Sequence, residues 1–157
     1  MCLVVDANVF SSVFRTDSCN HAEFAPVLSW ITAGPGFLVY GGTKFNNELK
    51  NAKRYLAVFI ELKKKGKAKE VNRALVDQHE KVVKNLVGHG KCDDFHIIAI
   101  FRVSGCVLFC SNDARADCYI KDRRLYEKDQ HPPSIYRNSS HQRLLCPHNI
   151  VQIRNVI

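Results

Sequence analysis

Short runs of apolar, β-forming residues alternate along the chain with longer stretches in which apolar residues recur at helical spacing. The runs lie at residues 3–5, 37–40 and 106–110, and each has the length and composition of a buried strand. Since strands that alternate with helices pair in parallel, the pattern predicts an α/β fold. We expect a central parallel sheet of four to five strands, with the first run at its centre and helices on both faces.

Four stretches are predicted to be helical: residues 22–31, 43–62, 71–86 and 93–103. The first ends before Gly34-Pro35-Gly36. The second begins with Thr43 as its N-cap and closes at the lysine-rich turn 63–67. The third is expected to end at Gly88-His89-Gly90. Five apolar residues are predicted to form its inward face: Leu75, Val76, Val82, Val83 and Leu86.

The pattern is less regular after residue 120, where prolines interrupt it. Only residues 135–136 and 150–153 resemble strands there. With 157 residues, the chain has about the length of one domain. We expect a single domain with its core at residues 1–120 and a C-terminal extension, residues 121–157, that completes or flanks the sheet.

Composition is typical of a globular protein, with 46% apolar and 24% charged residues. No apolar run reaches the ~18 residues of a membrane helix, and the start does not resemble a signal peptide. We therefore expect a cytoplasmic protein. The seven cysteines are odd in number and irregularly spaced, which favours reduced thiols, packed mostly as small apolar residues, over a disulfide framework.

The net charge of +8 is unevenly distributed along the chain. Residues 1–49 and 92–117 are acidic overall, whereas residues 50–91 and 118–157 are basic. If the two acidic segments meet in the fold, they form a negative site within a positive field. This arrangement suits a metal centre acting on a polyanion, although a solvated basic surface is the simpler alternative.

Four acidic residues occupy positions that an α/β fold brings together. Asp6 and Asp113 each follow a predicted strand, and the carboxyl ends of parallel strands share one edge of a sheet. Asp94 lies at a helix start and, at ~100° per residue, on the apolar face of that helix. Glu48 borders the apolar stripe of the helix predicted at residues 43–62.

Carboxylates that approach one another in a partly buried pocket repel, and each gains a proton unless a cation compensates. Oxygen ligands without a histidine or cysteine cage favour Mg²⁺ or Mn²⁺ over Zn²⁺. Such an ion can activate a bound water and stabilise the charge that develops on a phosphoryl group. The sequence therefore predicts a metal-dependent phosphodiester hydrolase that uses Asp6, Glu48, Asp94 and Asp113.

The residues around these acids form four motifs: residues 3–10, which include Asp6-Ala7-Asn8, then 45–49, 93–99 and 111–113. They resemble, in order, the opening strand of PIN-domain nucleases with its Asp-x-Asn ending, the second acid, the Asp-x-x-Ile-x-Ala helix start, and the Ser/Thr-x-Asp turn. The similarity covers most of residues 1–120. The tail from residue 132 onward matches the family less clearly.

The resemblance implies a Mg²⁺- or Mn²⁺-dependent endoribonuclease, with RNA favoured over single-stranded DNA as its substrate. Such proteins are often toxins of bacterial toxin–antitoxin pairs, which implies an antitoxin partner, and they are often homodimers. Asn8, Ser111, Asp93 and Asp117 would support the site. The candidates for binding phosphates are Lys44, Arg115, Lys63, Lys64 and Lys65.

Several residues also have simpler interpretations. Asp94 suits a helix N-terminus through the helix dipole alone, and Glu48 suits a solvated helix face. We interpret His96, about 200° around the helix from Asp94, as structural. The lack of a CxxC pair disfavours zinc, and Asn8 stands where a haloacid-dehalogenase-type phosphatase needs a second Asp. The remaining alternative is a non-catalytic PIN-like scaffold that holds RNA or a protein.

Overall fold

The protein is described by a computed structural model that covers residues 2–88, 92–146 and 154–157. Five parallel strands form one sheet in the order β3-β2-β1-β4-β5. The strands are β1 (Cys2–Val5), β2 (Phe37–Gly41), β3 (Ala68–Val71), β4 (Leu108–Cys110) and β5 (Ser134–Tyr136). The predicted parallel α/β sheet is confirmed, with the first strand at its centre.

Helices connect the strands and cover the sheet. They are α1 (Phe10–Phe14), α2 (His21–Thr32), α3 (Thr43–Asn51), α4 (Lys53–Lys64), α5 (Arg73–Val87), α6 (Phe95–Ser104) and α7 (Asp117–Ile120). Short 3-10 segments lie at Ala7–Val9, Ala114–Ala116, Arg123–Leu125 and Ser139–Leu144. Crossovers between parallel strands are right-handed, so the connections on either side of β1 place their helices on opposite faces.

The single helix predicted at residues 43–62 is wrong, because it is interrupted at Ala52. The backbone of Ala52 adopts φ −93° and ψ 60° and separates α3 from α4. Thr43 is also not the N-cap, which is Gly42. Asp77 of α5 instead accepts hydrogen bonds from the Thr43 backbone N–H at 2.7 Å and hydroxyl at 2.6 Å. A carboxylate distant in sequence therefore caps α3.

Strand β3 was not predicted, and the helix predicted at 71–86 begins later than expected. Two of the four residues of β3 are charged: Lys69 lies over the Phe37 ring, and Glu70 pairs with Lys63. These partners allow an edge strand to contain charged residues. Because of those charges, β3 lacks the apolar pattern by which a strand is predicted from sequence. Helix α5 then starts after Asn72, whose side chain accepts from the Leu75 N–H at 3.1 Å.

Two residues predicted to face inward from α5 do not. Val82 is 39% exposed and Leu86 is 57% exposed, whereas Val76 and Val83 are fully buried. A single helical face packs against α6, so an apolar residue outside that face stays in water. The expected helix stop is confirmed at Gly88, which follows Val87 as the C-cap of α5 with φ +72°. His89-Gly90 and the expected strand at 150–153 lie outside the described residues.

The tail contributes to both edges of the sheet. Strand β5 pairs with β4, and Val156 forms an antiparallel bridge to Val71 at the end of β3. Three cysteines, Cys2, Cys106 and Cys110, are buried in the core, whereas Cys19 and Cys118 are exposed. Across the described segments, no helix combines the length and apolarity needed to cross a membrane.

An aromatic cluster fixes the helices that follow β1 and β2. Phe59 of α4 lies 5.4 Å from Phe10, 5.2 Å from Tyr40 and 6.1 Å from Phe45, measured between ring centroids. Phe10 and Phe45 are close in sequence to Asp6 and Glu48, respectively, and both rings are buried. The core therefore holds the segments that carry two of the candidate acids.

Candidate functional site

The candidate site lies where the connections of the sheet change direction. From β1 the chain adds β2 and β3 on one side, and it then returns to add β4 and β5 on the other. At such a switch point, the loops after the two central strands diverge and leave a crevice at their carboxyl ends. Asp6 follows β1 and Ser111 follows β4, and the Asp6 N–H donates to the Cys110 carbonyl at 2.9 Å.

Asp6 is fixed by two neutral polar side chains. Its Oδ2 accepts hydrogen bonds from the Ser111 hydroxyl and from the Asn8 side-chain amide, each at 2.9 Å. The Asn8 amide also contacts the Ser111 hydroxyl at 3.3 Å. Asp6 is only 8% exposed. Asn8 and Ser111, two of the four residues expected to support the site, thus both contact Asp6 and hold its carboxylate in one orientation.

Asp94 lies immediately before α6 and lines a cavity of about 210 Å³. Its side chain makes no capping hydrogen bond, so the helix end does not account for the carboxylate. The helix starts only at Phe95, so Asp94 does not lie on the apolar face of α6 as its helical spacing predicted. The other residues around the cavity are Cys92, Asp93, Asp113, Arg115, Ala116 and Tyr119.

The charges of the acids interact through Asp94. Burial raises the pKa of Asp94; His96 and Lys44 oppose this shift, while Asp113 and Glu48 add to it. Burial likewise raises the pKa of Asp6, with Ser111 opposing and Asp94 adding. Mutual repulsion in a partly buried place is the condition under which carboxylates recruit a cation.

Glu48 extends from α3, which starts at a glycine turn. Gly42 has φ +81°, and a Cβ there would lie 2.5 Å from the Val76 side chain, so glycine is required for this entry into the helix. The Glu48 Oε2 lies 3.5 Å from His96 Nε2. Burial disfavours the charge of Glu48, but His96 and then Lys44 outweigh this effect and lower its pKa.

Asp113 is neutralised by a neighbouring arginine. The Arg115 guanidinium donates to both Asp113 oxygens, at 2.9 Å from Nε and 2.6 Å from Nη2, and its backbone N–H also donates to Oδ1. These bonds lower the pKa of Asp113 to about 2. Arg115 is 91% exposed, so a cation that reaches Asp113 competes with a solvent-exposed guanidinium.

The two remaining acids have other partners. Asp117 pairs with Arg137 and lies 3.9 Å from Lys121. Asp93 is exposed and lines the cavity, and its carbonyl oxygen accepts a hydrogen bond from Lys44. The sequence placed both residues near the site, but the structure shows Asp117 committed to a separate ion pair.

In the described part of the chain, no three His, Cys, Asp or Glu side chains lie close enough to hold one ion as they stand. The charge of Asp94 acts on the pKa of Asp6, and Asp113 and Glu48 act on that of Asp94, but the four acids do not form a preassembled cage. Their chemistry nevertheless fits a hard divalent cation. All are oxygen donors, and burial and repulsion raise the pKa values of Asp6 and Asp94.

The five predicted phosphate-binding residues fall into two groups. Lys44 and Arg115 lie at the carboxylates. Lys63, Lys64 and Lys65 are exposed at the end of α4, just before β3, and therefore near the amino ends of the parallel strands. That end is opposite Asp6. Lys63 and Lys64 also pair with Glu70 and Glu61.

His96, which the sequence indicated to be structural, lies next to one of the candidate acids, 3.5 Å from Glu48. The expected separation from Asp94 assumed that both residues belong to one regular helix. Asp94 precedes α6 with φ −100° and ψ 20°, so that angle has no meaning here. The sequence feature that could have identified His96 is a histidine within an otherwise apolar, buried helix.

No protein-family model, no curated protein and no solved structure matches the chain.

Proposed function

We propose that the protein is a divalent-metal-dependent phosphodiester hydrolase, and specifically an endoribonuclease that uses Mg²⁺ or Mn²⁺. The observation that carries the proposal is the position of Asp6, oriented by Ser111 and Asn8 at the switch point of the sheet. Asp94 is near enough to raise the pKa of Asp6. Among the described residues no ion pair joins Asp6 to a cationic side chain, and its hydrogen-bond donors are neutral while its neighbour Asp94 is acidic.

In this proposal each residue has a separate role. Asp6, Asp94, Glu48 and Asp113 supply the oxygen ligands, while Ser111 and Asn8 keep Asp6 from rotating. Lys44 and Arg115 attract the phosphate backbone to the acidic crevice. The bound ion would lower the pKa of a water and stabilise charge on the scissile phosphate.

The resemblance of four motifs to PIN-domain nucleases supports RNA as the substrate, and the parallel sheet is compatible with that family. A role as the toxin of a toxin–antitoxin pair, an antitoxin partner and a homodimer belong to the same proposal. They rest on the resemblance alone. Single-stranded DNA is the alternative substrate to be tested beside RNA.

The test is cleavage of labelled single-stranded RNA and DNA by the purified protein with Mn²⁺, Mg²⁺ or EDTA. We expect cleavage of RNA that EDTA abolishes. Asp6→Asn and Asp94→Asn should reduce it by more than the ~10- to 100-fold that loss of a supporting group costs. Asp129→Asn is the matched control, because Asp129 is exposed and pairs with Arg154.

Two results would contradict the proposal. Cleavage that persists equally in EDTA or in Asp6→Asn would point to a contaminating nuclease. Metal-independent RNA binding without cleavage would instead support the non-catalytic scaffold.

A further inference from the structure

His96 of α6 carries a deeply buried imidazole. Its side chain is 2% exposed, and neither ring nitrogen has a hydrogen bond within the described residues. Its neighbours on the same helix are apolar and buried, among them Ile97, Ile98 and Ile100. Burying an unsatisfied polar ring is unfavourable. Packing alone would therefore favour an apolar residue at this position.

The ring contacts one of the candidate metal ligands. His96 Nε2 lies 3.5 Å from Glu48 Oε2, within ion-pair range but slightly long and poorly aligned for a hydrogen bond. Glu48 is 35% exposed, so its carboxylate can move while the imidazole cannot. A shift of roughly half an ångström brings Nε2 and Oε2 to ordinary hydrogen-bond length.

We propose that His96 is a positioning residue that holds the Glu48 carboxylate toward the candidate metal site. This role rests on the proposed function, and it places His96 behind the ligand and not on the ion itself. Second-layer partners of this kind orient metal ligands, and their loss typically weakens metal binding by 10- to 100-fold. The electrostatic influence of His96 on Asp6 and Asp94 agrees with this location.

The experiment is a double-mutant cycle in Mn²⁺ affinity, with free Mn²⁺ measured by electron paramagnetic resonance. The variants are His96→Leu, Glu48→Gln and their combination. We expect His96→Leu to weaken binding by about tenfold or more. In the Glu48→Gln background the same change should have less than about a twofold effect, because the residue acts only through Glu48.

His96→Gln serves as the rescue variant, since its side-chain amide can donate to Glu48 from a similar position, and it should restore affinity to within about threefold of wild type. Ile100→Val is the control for destabilisation of the same helix and should leave affinity unchanged. Thermal unfolding of each variant in EDTA identifies any that fail to fold.

Three results would overturn the role of His96 but leave the proposed function intact. They are unchanged Mn²⁺ affinity in a folded His96→Leu variant, additive effects in the cycle, and nitrogen coupling from His96 to the ion in a pulsed resonance spectrum, which would make it a direct ligand. Failure of the wild-type protein to bind Mn²⁺ would instead overturn the proposed function, and the positioning role with it.

Discussion

The hydroxyl of Ser111 donates to Asp6 Oδ2 across 2.9 Å, and the two residues are 105 positions apart in the chain. This bond joins the loops that follow the two central strands of the sheet. Ser111 is 1% exposed, and its oxygen also accepts from the Asp113 backbone N–H at 3.2 Å. One hydroxyl therefore connects three parts of the candidate site.

Replacing Ser111 by Ala should reduce both stability and metal affinity. The Asp6 carboxylate and the Asp113 N–H each lose a partner, which costs about 1–3 kcal/mol of unfolding free energy. Urea unfolding in EDTA measures this cost, and Mn²⁺ titration should show a loss of roughly tenfold or more. Ser134→Ala, at an exposed position on β5, is the control. Equal unfolding free energies and equal Mn²⁺ affinities of the two variants would show that the Ser111 bond is unimportant.

Asp6→Asn should stabilise the metal-free protein at neutral pH. Burial is the main reason that the pKa of Asp6 lies above its ordinary 3.8. The hydrogen bond from Ser111 opposes this rise, and the charge of Asp94 adds to it. The ionised carboxylate therefore lowers stability above its folded-state pKa. This cost disappears as the pH falls through that value toward 3.8. We expect a gain on the order of 1 kcal/mol at pH 7 in EDTA, which vanishes near pH 4.

The measurement for Asp6→Asn is chemical unfolding from pH 4 to pH 8. An amide oxygen at the Oδ2 position can still accept from the Ser111 hydroxyl and the Asn8 side-chain amide, and only the long 3.5 Å bond from the Asn8 backbone N–H to Oδ1 is lost. Saturating Mn²⁺ should reverse the order, because only the wild-type carboxylate gains a ligand bond. A variant less stable than wild type throughout this pH range in EDTA would show that Asp6 is an ordinary structural acid.

Arg115→Gln should release Asp113 from its partner. The pKa of Asp113 is held at about 2, chiefly by hydrogen bonds from Arg115, and should rise toward its ordinary 3.8 in the variant. The stabilising pairing is present above 3.8 and is lost as the pH falls toward 2. Carbon-13 resonances of the Asp113 carboxyl report the pKa directly.

The chain provides a matched control for that experiment. Arg124 binds Asp122 with the same pattern of bonds and is similarly exposed, at 88%. Arg124→Gln should leave the Asp113 resonances and Mn²⁺ affinity unchanged. Arg115→Gln should keep or increase Mn²⁺ affinity, since the guanidinium competes for the same oxygens. A large loss of affinity would mean that Arg115 supports the site.

Phe59→Ala should destabilise the protein by about 3–5 kcal/mol. The side chain is 2% exposed and contacts four other aromatic rings from α1, β2 and α3. Ile60→Ala, next in sequence but 47% exposed, should cost less than about 1 kcal/mol. Urea unfolding midpoints compare the two, and similar losses would contradict a cluster centred on Phe59.

Much of the fold follows from local pattern. Strands β1, β2 and β4 are apolar runs that the local pattern identifies, and the central position of β1 was predicted from the same pattern. Strand β3 could not be identified this way, because Lys69 and Glu70 are tolerated only through partners in other elements. The break at Ala52 was also not apparent from the sequence, because helical periodicity continues on both sides of it.

The candidate site was only partly accessible to sequence. Asp6 and Asp113 could be placed at one edge, since each follows a predicted parallel strand, and the resemblance to PIN-domain nucleases added Ser111. The pairing of Asp113 with Arg115 and the contact of Glu48 with His96 depend on side-chain directions that helical or strand geometry does not set. The assembly of the four acids around an ion remains a prediction.

The strand order also governs when the crevice can form during synthesis. Asp6, Glu48 and Asp94 all precede β4 in the chain and leave the ribosome before it. Strand β4 forms the second wall of the crevice beside β1. Until then the first strand has one open side and Asp6 lacks Ser111. A metal site of the proposed kind would therefore be completed only after β4 and Ser111 have been released.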